Sequence, residues 1–184
     1  MPRAADPRLE ERILDAAQAL WIAGGEDALS MRAIADRLGI HTPRIYSRFS
    51  SKEQLLQALR SRVVFRLGQS LADSTSLRDG LRRYLDFARD RPFDYRLLFG
   101  PGFQQRRTPG EPGPLLVLQR AVARTYGGDP SSHRLRALSI WALLHGAATL
   151  QVEFADEAER DAFRDACLDA CERIAAEASA DRQE

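Results

Sequence analysis

Cysteine and lysine are scarce in this sequence, and several common signals are missing. Cys167 and Cys171 are the only cysteines among 184 residues. They lie four apart on one expected helix, which is poor geometry for a disulfide. A redox or metal sensor would need further ligands nearby, and none is evident. The plain reading is two buried thiols in a reducing compartment, with no metal and no cofactor. Lys52 is the only lysine, and every other strong cation is arginine. A GC-rich genome produces that bias, so the count of arginines carries no weight by itself. No segment reaches about 18 apolar residues, so no membrane span is expected. Met1-Pro2-Arg3 leads into charges rather than an apolar run, so no signal peptide is expected and a cytoplasmic location is. No nucleophile–base pair, metal-ligand spacing or phosphate loop is present, which argues against an enzyme and leaves no catalytic residue to name. Sustained period-2 alternation is also absent. Ala, Leu, Arg, Glu and Asp fill most windows, so the expected fold is all-α.

Charge is present but unevenly placed. The formal net charge is only +1, which would argue against a nucleic-acid partner if it were evenly spread. Residues 30–52 hold Arg32, Arg37, Arg44, Arg48 and Lys52 against Asp36 alone, a local excess of about four positive charges. Residues 153–184 hold eleven acids against Arg160, Arg164, Arg173 and Arg182, an excess of about seven negative charges. One end reads as basic and DNA-facing, the other as acidic and distant from it.

The basic segment has a helix-turn-helix pattern. Ser30 can accept the free N–H groups of a first turn, with Leu29 and Ile34 at staple spacing around it. Met31, Ile34, Ala35 and Leu38 form one apolar stripe. Gly39 supplies the positive φ that stops this helix. Thr42 reads as a second N-cap with Pro43 at the first helical position. Ile45 and Phe49 then face inward, leaving Arg44, Tyr46, Ser47 and Arg48 outward. Ser50 opens the next helix, with Glu53 completing a capping box.

Ile13 to Leu59 closely resembles the DNA-binding domain of TetR-type regulators. The resemblance rests on Ile13-Leu14-Asp15-Ala16-Ala17 running to Trp21 and Gly24-Gly25, and on Leu29-Ser30-Met31-Arg32-Ala33-Ile34-Ala35. It continues through Leu38-Gly39-Ile40, Tyr46, Phe49 and Ser51-Lys52-Glu53-Gln54-Leu55. His41 departs from the usual small polar cap, and Pro43 from a common glycine. The DNA-binding residues expected on this footing are Ser30, Arg32, Thr42, Pro43, Arg44, Tyr46, Ser47, Arg48 and Lys52. Arg44 and Thr42 are expected toward base edges, Arg44 with the donor geometry that suits guanine. Tyr46, Arg48 and Lys52 are expected toward the backbone. In the family the lysine approaches DNA, and first-turn N–H groups beside it also favour phosphate. Ser30 is a cap first and a phosphate donor second.

The rest of the chain reads as further helices. Asp6-Pro7 opens helix 1, which Gly24-Gly25 ends. The helix after Ser50 carries Leu55, Leu56, Leu59, Val63, Phe65 and Leu67. Ser76 with Asp79 starts one carrying Leu81, Tyr84, Leu85 and Ala88. Pro92 starts a short helix through Phe99. Residues 100–114 are rich in Pro and Gly and read as a loop. Helices follow from Leu115 to Tyr126, from the Asp129 region to Phe154, and from Asp156 to about Ser179. The expected division is a DNA-binding domain at 7–53 and an effector-binding and dimerisation domain at 54–184.

Leu138 to Val152 is apolar nearly all the way round, so its helix must be buried on every side. One side packs in its own domain. A second copy is the simplest cover for the other, with Phe163, Cys167, Ala170, Cys171, Ile174 and Ala178 as a companion stripe. Trp141 to Gly146 also resembles the Trp-x-x-x-His-Gly signature of WHG-type C-terminal domains of the same family, which implies small-molecule sensing. Tyr84, Phe87, Tyr95, Phe99, Phe103, Trp141 and His145 are the expected effector-pocket residues, aromatic surface with a few polar tips. Most of them serve equally well as ordinary core, and for His145 core is the commoner role. The expected function is a homodimeric, one-component regulator. It binds a palindromic double-stranded operator as a repressor and is released by a small apolar or aromatic effector. The rival reading is a DNA-binding dimer governed by a protein partner or by abundance, with no effector.

Overall fold

The computed structural model describes residues 8–100 and 113–177, and the regular elements among them are all helical. They run α1 (Leu9–Ala28), α2 (Met31–Leu38), α3 (Thr42–Tyr46), α4 (Lys52–Ala72), α5 (Leu77–Asp90), α6 (Pro92–Phe99), α7 (Pro114–Tyr126), α8 (Arg134–Leu150) and α9 (Glu157–Ala176). Short 3₁₀ turns at Pro130–His133 and Gln151–Glu153 precede and extend α8. The expected cap at Asp6-Pro7, Phe103, most of the expected loop, and Ala178 with Ser179 lie outside the described residues. The chain divides into two compact units. The first takes residues 1–66 and 91–108, the second 67–90 and 109–184. The expected boundary after residue 53 falls in the first turn of α4, whereas the units divide that helix after Arg66. α6 belongs with the first unit, although α5 before it belongs with the second.

In the first unit, Leu9, Ile13, Ala16, Ala17 and Trp21 recur at helical spacing and are buried on one side of α1. The backbone leaves the helix at Gly24 and Gly25, as expected, and one more turn reaches Ala28. Gly25 has φ 65°, and a Cβ there would lie 2.9 Å from Cδ1 of Phe93 on α6. Both the conformation and the close approach therefore require glycine. α2 is capped as its sequence indicates. The Ala33 N–H donates to Ser30 Oγ at 3.0 Å, Leu29 and Ile34 are buried, and Gly39 stops the helix at φ 63°.

Two caps sit one residue from their expected places. His41, not Thr42, holds the extended cap conformation of α3, so Thr42 and Pro43 occupy its first turn and no side chain caps it. Before α4, Gln54 Oε1 accepts both the N–H and the hydroxyl of Ser50, at 2.6 and 3.0 Å. With Ser50 so engaged, the cap passes to Ser51, whose Oγ accepts the Gln54 N–H at 3.2 Å. Gln54 thus takes the part expected of Glu53. The apolar residues of α4 do not all share one face. Leu55, Leu56, Leu59, Val63 and Leu67 are buried, but Phe65 is 64% exposed, because two residues beyond Val63 a helical side chain points to the opposite side.

In the second unit α8 is central and packs against α5, α7 and α9. Its Ala137, Ile140, Leu144, Ala147 and Ala148 meet a core that includes Leu81, Leu85, Val122, Leu168 and Ala175. Ser76 and Asp79 cap α5 reciprocally: Ser76 Oγ accepts the Asp79 N–H at 3.1 Å, and the Asp79 carboxylate accepts the Thr75 N–H at 2.9 Å. Gly127, at φ 77°, ends α7, and Asp156 Oδ1 caps α9 through the Glu159 N–H at 2.8 Å. Arg78 joins α5 to Asp169 and Glu172 of α9 at 2.6 and 2.7 Å, and Arg164 of α9 pairs with Asp86. Asp169 is exposed, whereas Glu172 and Asp86 are half-buried and Arg164 is buried, so the Arg78–Asp169 contact is the most solvent-screened of these pairs.

Cys167 and Cys171 are free thiols on the buried side of α9. Burial, with Cys167 and Glu172 nearby, pushes the Cys171 thiol up to about 12. A thiol so protonated is a poor nucleophile and a poor metal ligand.

Candidate DNA interface

The helix-turn-helix is built on a small apolar wedge. Ile34 and Ala35 of α2, Ile45 of α3, and Phe49 and Leu55 beyond it are all buried. Gly39 turns the chain so that α3 leaves α2 with Ile45 pointing inward. A helix of five residues with one buried anchor presents its remaining surface outward. Pro43, Arg44, Tyr46 and Ser47 are exposed, Tyr46 to 51%, while Thr42 and Arg48 are half-buried. Ser47 Oγ donates to the Arg44 carbonyl oxygen at 2.9 Å, which ties its hydroxyl to the end of the helix.

Ser30 lies exposed at the N-terminus of α2 with its oxygen engaged as a cap. Arg32, one turn in, is exposed beside Asp36, with a 3.9 Å ion pair between two solvated side chains. Lys52 stands in the first turn of α4. Its Nζ donates to the Glu26 carbonyl oxygen at 3.3 Å and lies 3.9 Å from the Glu26 carboxylate. Glu26 belongs to the turn that follows the Gly24-Gly25 kink. With 26 residues between the partners, this contact has no signal in the sequence. Exposed pairs of this kind hold little energy, so phosphate can compete for the ammonium.

The expected pocket residues are divided between the units. Tyr95 and Phe99 belong to the first, where their rings pack tilted at 5.0 Å. Tyr84 is buried and Phe87 half-buried on α5 in the second. Trp141 and His145, one turn apart on α8 and half-buried, hold their rings 6.3 Å apart. Burial lowers the His145 pKa, which favours the neutral imidazole. Trp141 Nε1 is buried without a hydrogen-bond partner among the described residues. A cleft of about 290 Å³ between α5 and α9 is lined by Arg82, Asp86, Asp161, Arg164, Asp165 and Leu168. Its lining is charged and includes none of the expected seven.

The far side of α8 is open. Leu135 is 79% exposed and Leu150 53%, and Val152 beyond them is also bare. Ser139, Ala142 and Thr149 lie exposed on the same helix, and a Cβ added at Gly146 would meet nothing within 4 Å. Among the described residues nothing covers this largely apolar surface.

A recognition helix presented by a capped helix-turn-helix, on an all-helical scaffold, defines a DNA-binding transcriptional regulator. The chain belongs to the tetR family of bacterial regulatory proteins. Residues 13–59 match that family's N-terminal model, and residues 77–171 match the tetracyclin repressor-like C-terminal domain. An uncharacterized HTH-type transcriptional regulator of Mycobacterium tuberculosis is 28% identical over 86% of this chain and 78% of its own length. The HTH-type transcriptional activator FasR of Mycolicibacterium smegmatis is 37% identical over 50% of this chain and 47% of its own. A TetR variant from Acinetobacter baumannii, solved in complex with minocycline, shares the fold. Its TM-score is 0.62 at 22% identity, over 94% of this chain and 97% of that one. The matching C-terminal model is the tetracyclin repressor-like one, and the WHG signature at Trp141 to Gly146 stands as a resemblance.

Proposed function

We propose that this regulator is a homodimer that binds a palindromic operator through α3, and a repressor released by a small apolar or aromatic effector. The observation that carries the first part is the outward surface of α3, Arg44 and Tyr46 above a buried Ile45, flanked by Arg32, Arg48 and Lys52. In this reading Arg44 and Thr42 meet base edges. Tyr46, Ser47, Arg48, Lys52 and the α2 terminus at Ser30 meet phosphates, and Pro43 pre-sets the helix. Phosphate neutralisation makes affinity fall steeply with salt. The expected result for binding to a duplex is a log–log salt slope of several units, measured by fluorescence anisotropy. A flat salt response would rule out this surface.

Support for the dimer is the uncovered apolar side of α8. A helix that is apolar all round cannot leave one side in water without cost. Support for an effector is coarser: a relative by fold holds minocycline, and the buried Trp141 N–H suits a ligand acceptor. One similar chain is named an activator rather than a repressor. An effector must lower DNA affinity by the same factor by which DNA lowers effector affinity. If Trp141 and His145 line its site, His145→Ala is expected to weaken the effector response and leave effector-free operator binding nearly intact. Operator titrations with and without a ligand found by thermal-shift screening, together with the melting temperature, check this. If His145→Ala damages operator binding and stability together, the residue is core.

A further inference from the structure

The first unit contains a polar cluster that the helix-turn-helix does not use. Asp94 of α6 is buried, and so is Gln18 of α1. Gln18 Nε2 donates to Asp94 Oδ2 at 3.4 Å, while Gln18 Oε1 accepts from Arg66 Nη1 of α4 at 2.8 Å. Arg91, the N-cap residue of α6, places Nη1 3.6 Å from the same Asp94 oxygen. The amide of Gln18 is therefore oriented from both ends, and one side chain of α1 is held simultaneously by α4 and α6. Asp94 Oδ1 is buried with no hydrogen-bond partner among the described residues.

The position of the two arginines gives the cluster its meaning. Arg66 is the last residue of the first unit along α4, and Arg91 is the first residue of the unit on the chain's return. Beside Asp94, Phe93 packs onto the positive-φ Gly25 of the α1 kink. A buried, incompletely paired carboxylate is a poor way to stabilise a fold, since apolar side chains of similar volume serve as well or better. Polar groups that specify one geometry are the better-attested use of such sites.

We infer that Asp94, acting with Gln18, is a positioning residue for operator binding: it fixes α4 and α6 against α1 at the two points where the chain passes between units. The inference rests on the reading of a dimer on a palindrome. A dimer reaches both half-sites only at a matching recognition-helix separation, so loosening the clamp broadens the tolerated spacing without altering which bases are read.

The test uses full-length protein and the palindromic duplex that the wild type selects from a random library, together with versions whose half-sites are moved by one or two base pairs. The wild type is expected to discriminate against the moved sites by roughly tenfold or more, because groove position shifts with each base pair. Asp94→Asn keeps the shape and the Gln18 contact but removes the charge facing Arg91. It is expected to narrow that discrimination to about threefold or less, with unchanged half-site sequence preference and a melting temperature within a few degrees. Arg66→Gln, at an exposed side chain, releases the α4 arm alone. It is expected to narrow the discrimination in the same way, and it carries the test if Asp94→Asn does not fold. The double variant is expected to show less than the product of the two single effects, because both changes loosen the same Gln18–Asp94 cluster. If a folded Asp94→Asn or Arg66→Gln protein weakens every duplex equally, or keeps full spacing discrimination, the proposal is overturned. If the wild type itself is indifferent to spacing, the dimer reading falls and the proposal falls with it.

Discussion

Leu150→Glu is expected to yield a folded monomer that has lost operator binding. Leu150 is 53% exposed in the single chain, so a glutamate there is solvated and does not disturb the core of its own unit. In a dimer covered along α8 the same charge would be buried without a partner, at a cost on the order of 3–5 kcal/mol for each copy. Two-fold symmetry places it there twice. Losing the second half-site removes the bivalent gain, which is typically about 10²- to 10⁴-fold. Leu143→Glu is the less informative choice, because Leu143 is half-buried within the chain. Leu144→Glu is the control: Leu144 is buried at 3% exposure in its own unit, so this change is expected to unfold the protein rather than dissociate it. Sedimentation equilibrium with circular dichroism separates the two outcomes. A wild type that sediments as a monomer would exclude the dimer.

The second large effect belongs to the recognition helix. Arg44→Ala is expected to cost roughly 1–3 kcal/mol per half-site and to relax preference at one base pair in each. Arg44 is exposed on α3, whose buried anchor is Ile45, so its loss leaves the fold intact. Lys52→Ala is expected to behave differently, weakening all duplexes alike and reducing the salt slope by about 0.9 per subunit. Competition assays on a panel of single-base operator variants, repeated at several salt concentrations, distinguish base reading from backbone contact. If both variants keep wild-type affinity and specificity, α3 is not the docking face.

The fold and the recognition segment were legible because they depend on local chemistry. A cap, a stripe at 3.6 spacing and a stop glycine act within ten residues. Ser30, Ile34 and Gly39 accordingly stand in the structure as the sequence indicates. The errors were of register. At Ser50 and Ser51 two adjacent hydroxyls each had a capping partner three residues on, and the choice between them was settled by Gln54 folding back. Among the apolar residues of α4, Phe65 stands apart, because helical geometry turns it away from the buried Val63. Contacts between distant segments left no mark. Nothing at Asp94 announces Gln18 or Arg66, and nothing at Lys52 announces Glu26. The placement of α6 with the first unit follows from such contacts, and so Tyr95 and Phe99 are counted in a different unit from the aromatic residues of α5 and α8. The exposed side of α8 was legible in another sense. Its apolar pattern extends to residues that the described part of the chain leaves exposed, Leu135 and Leu150 among them.

A dimeric reader of a two-fold operator is tested by sequencing the DNA fragments that the purified full-length protein retains from a random library. Enrichment of one palindrome is expected, with half-site centres about one helical turn apart, roughly 34–36 Å. The same palindrome is expected at increasing salt with falling yield. Recovery of no enriched sequence, or of a single half-site without its inverted copy, would contradict this reading.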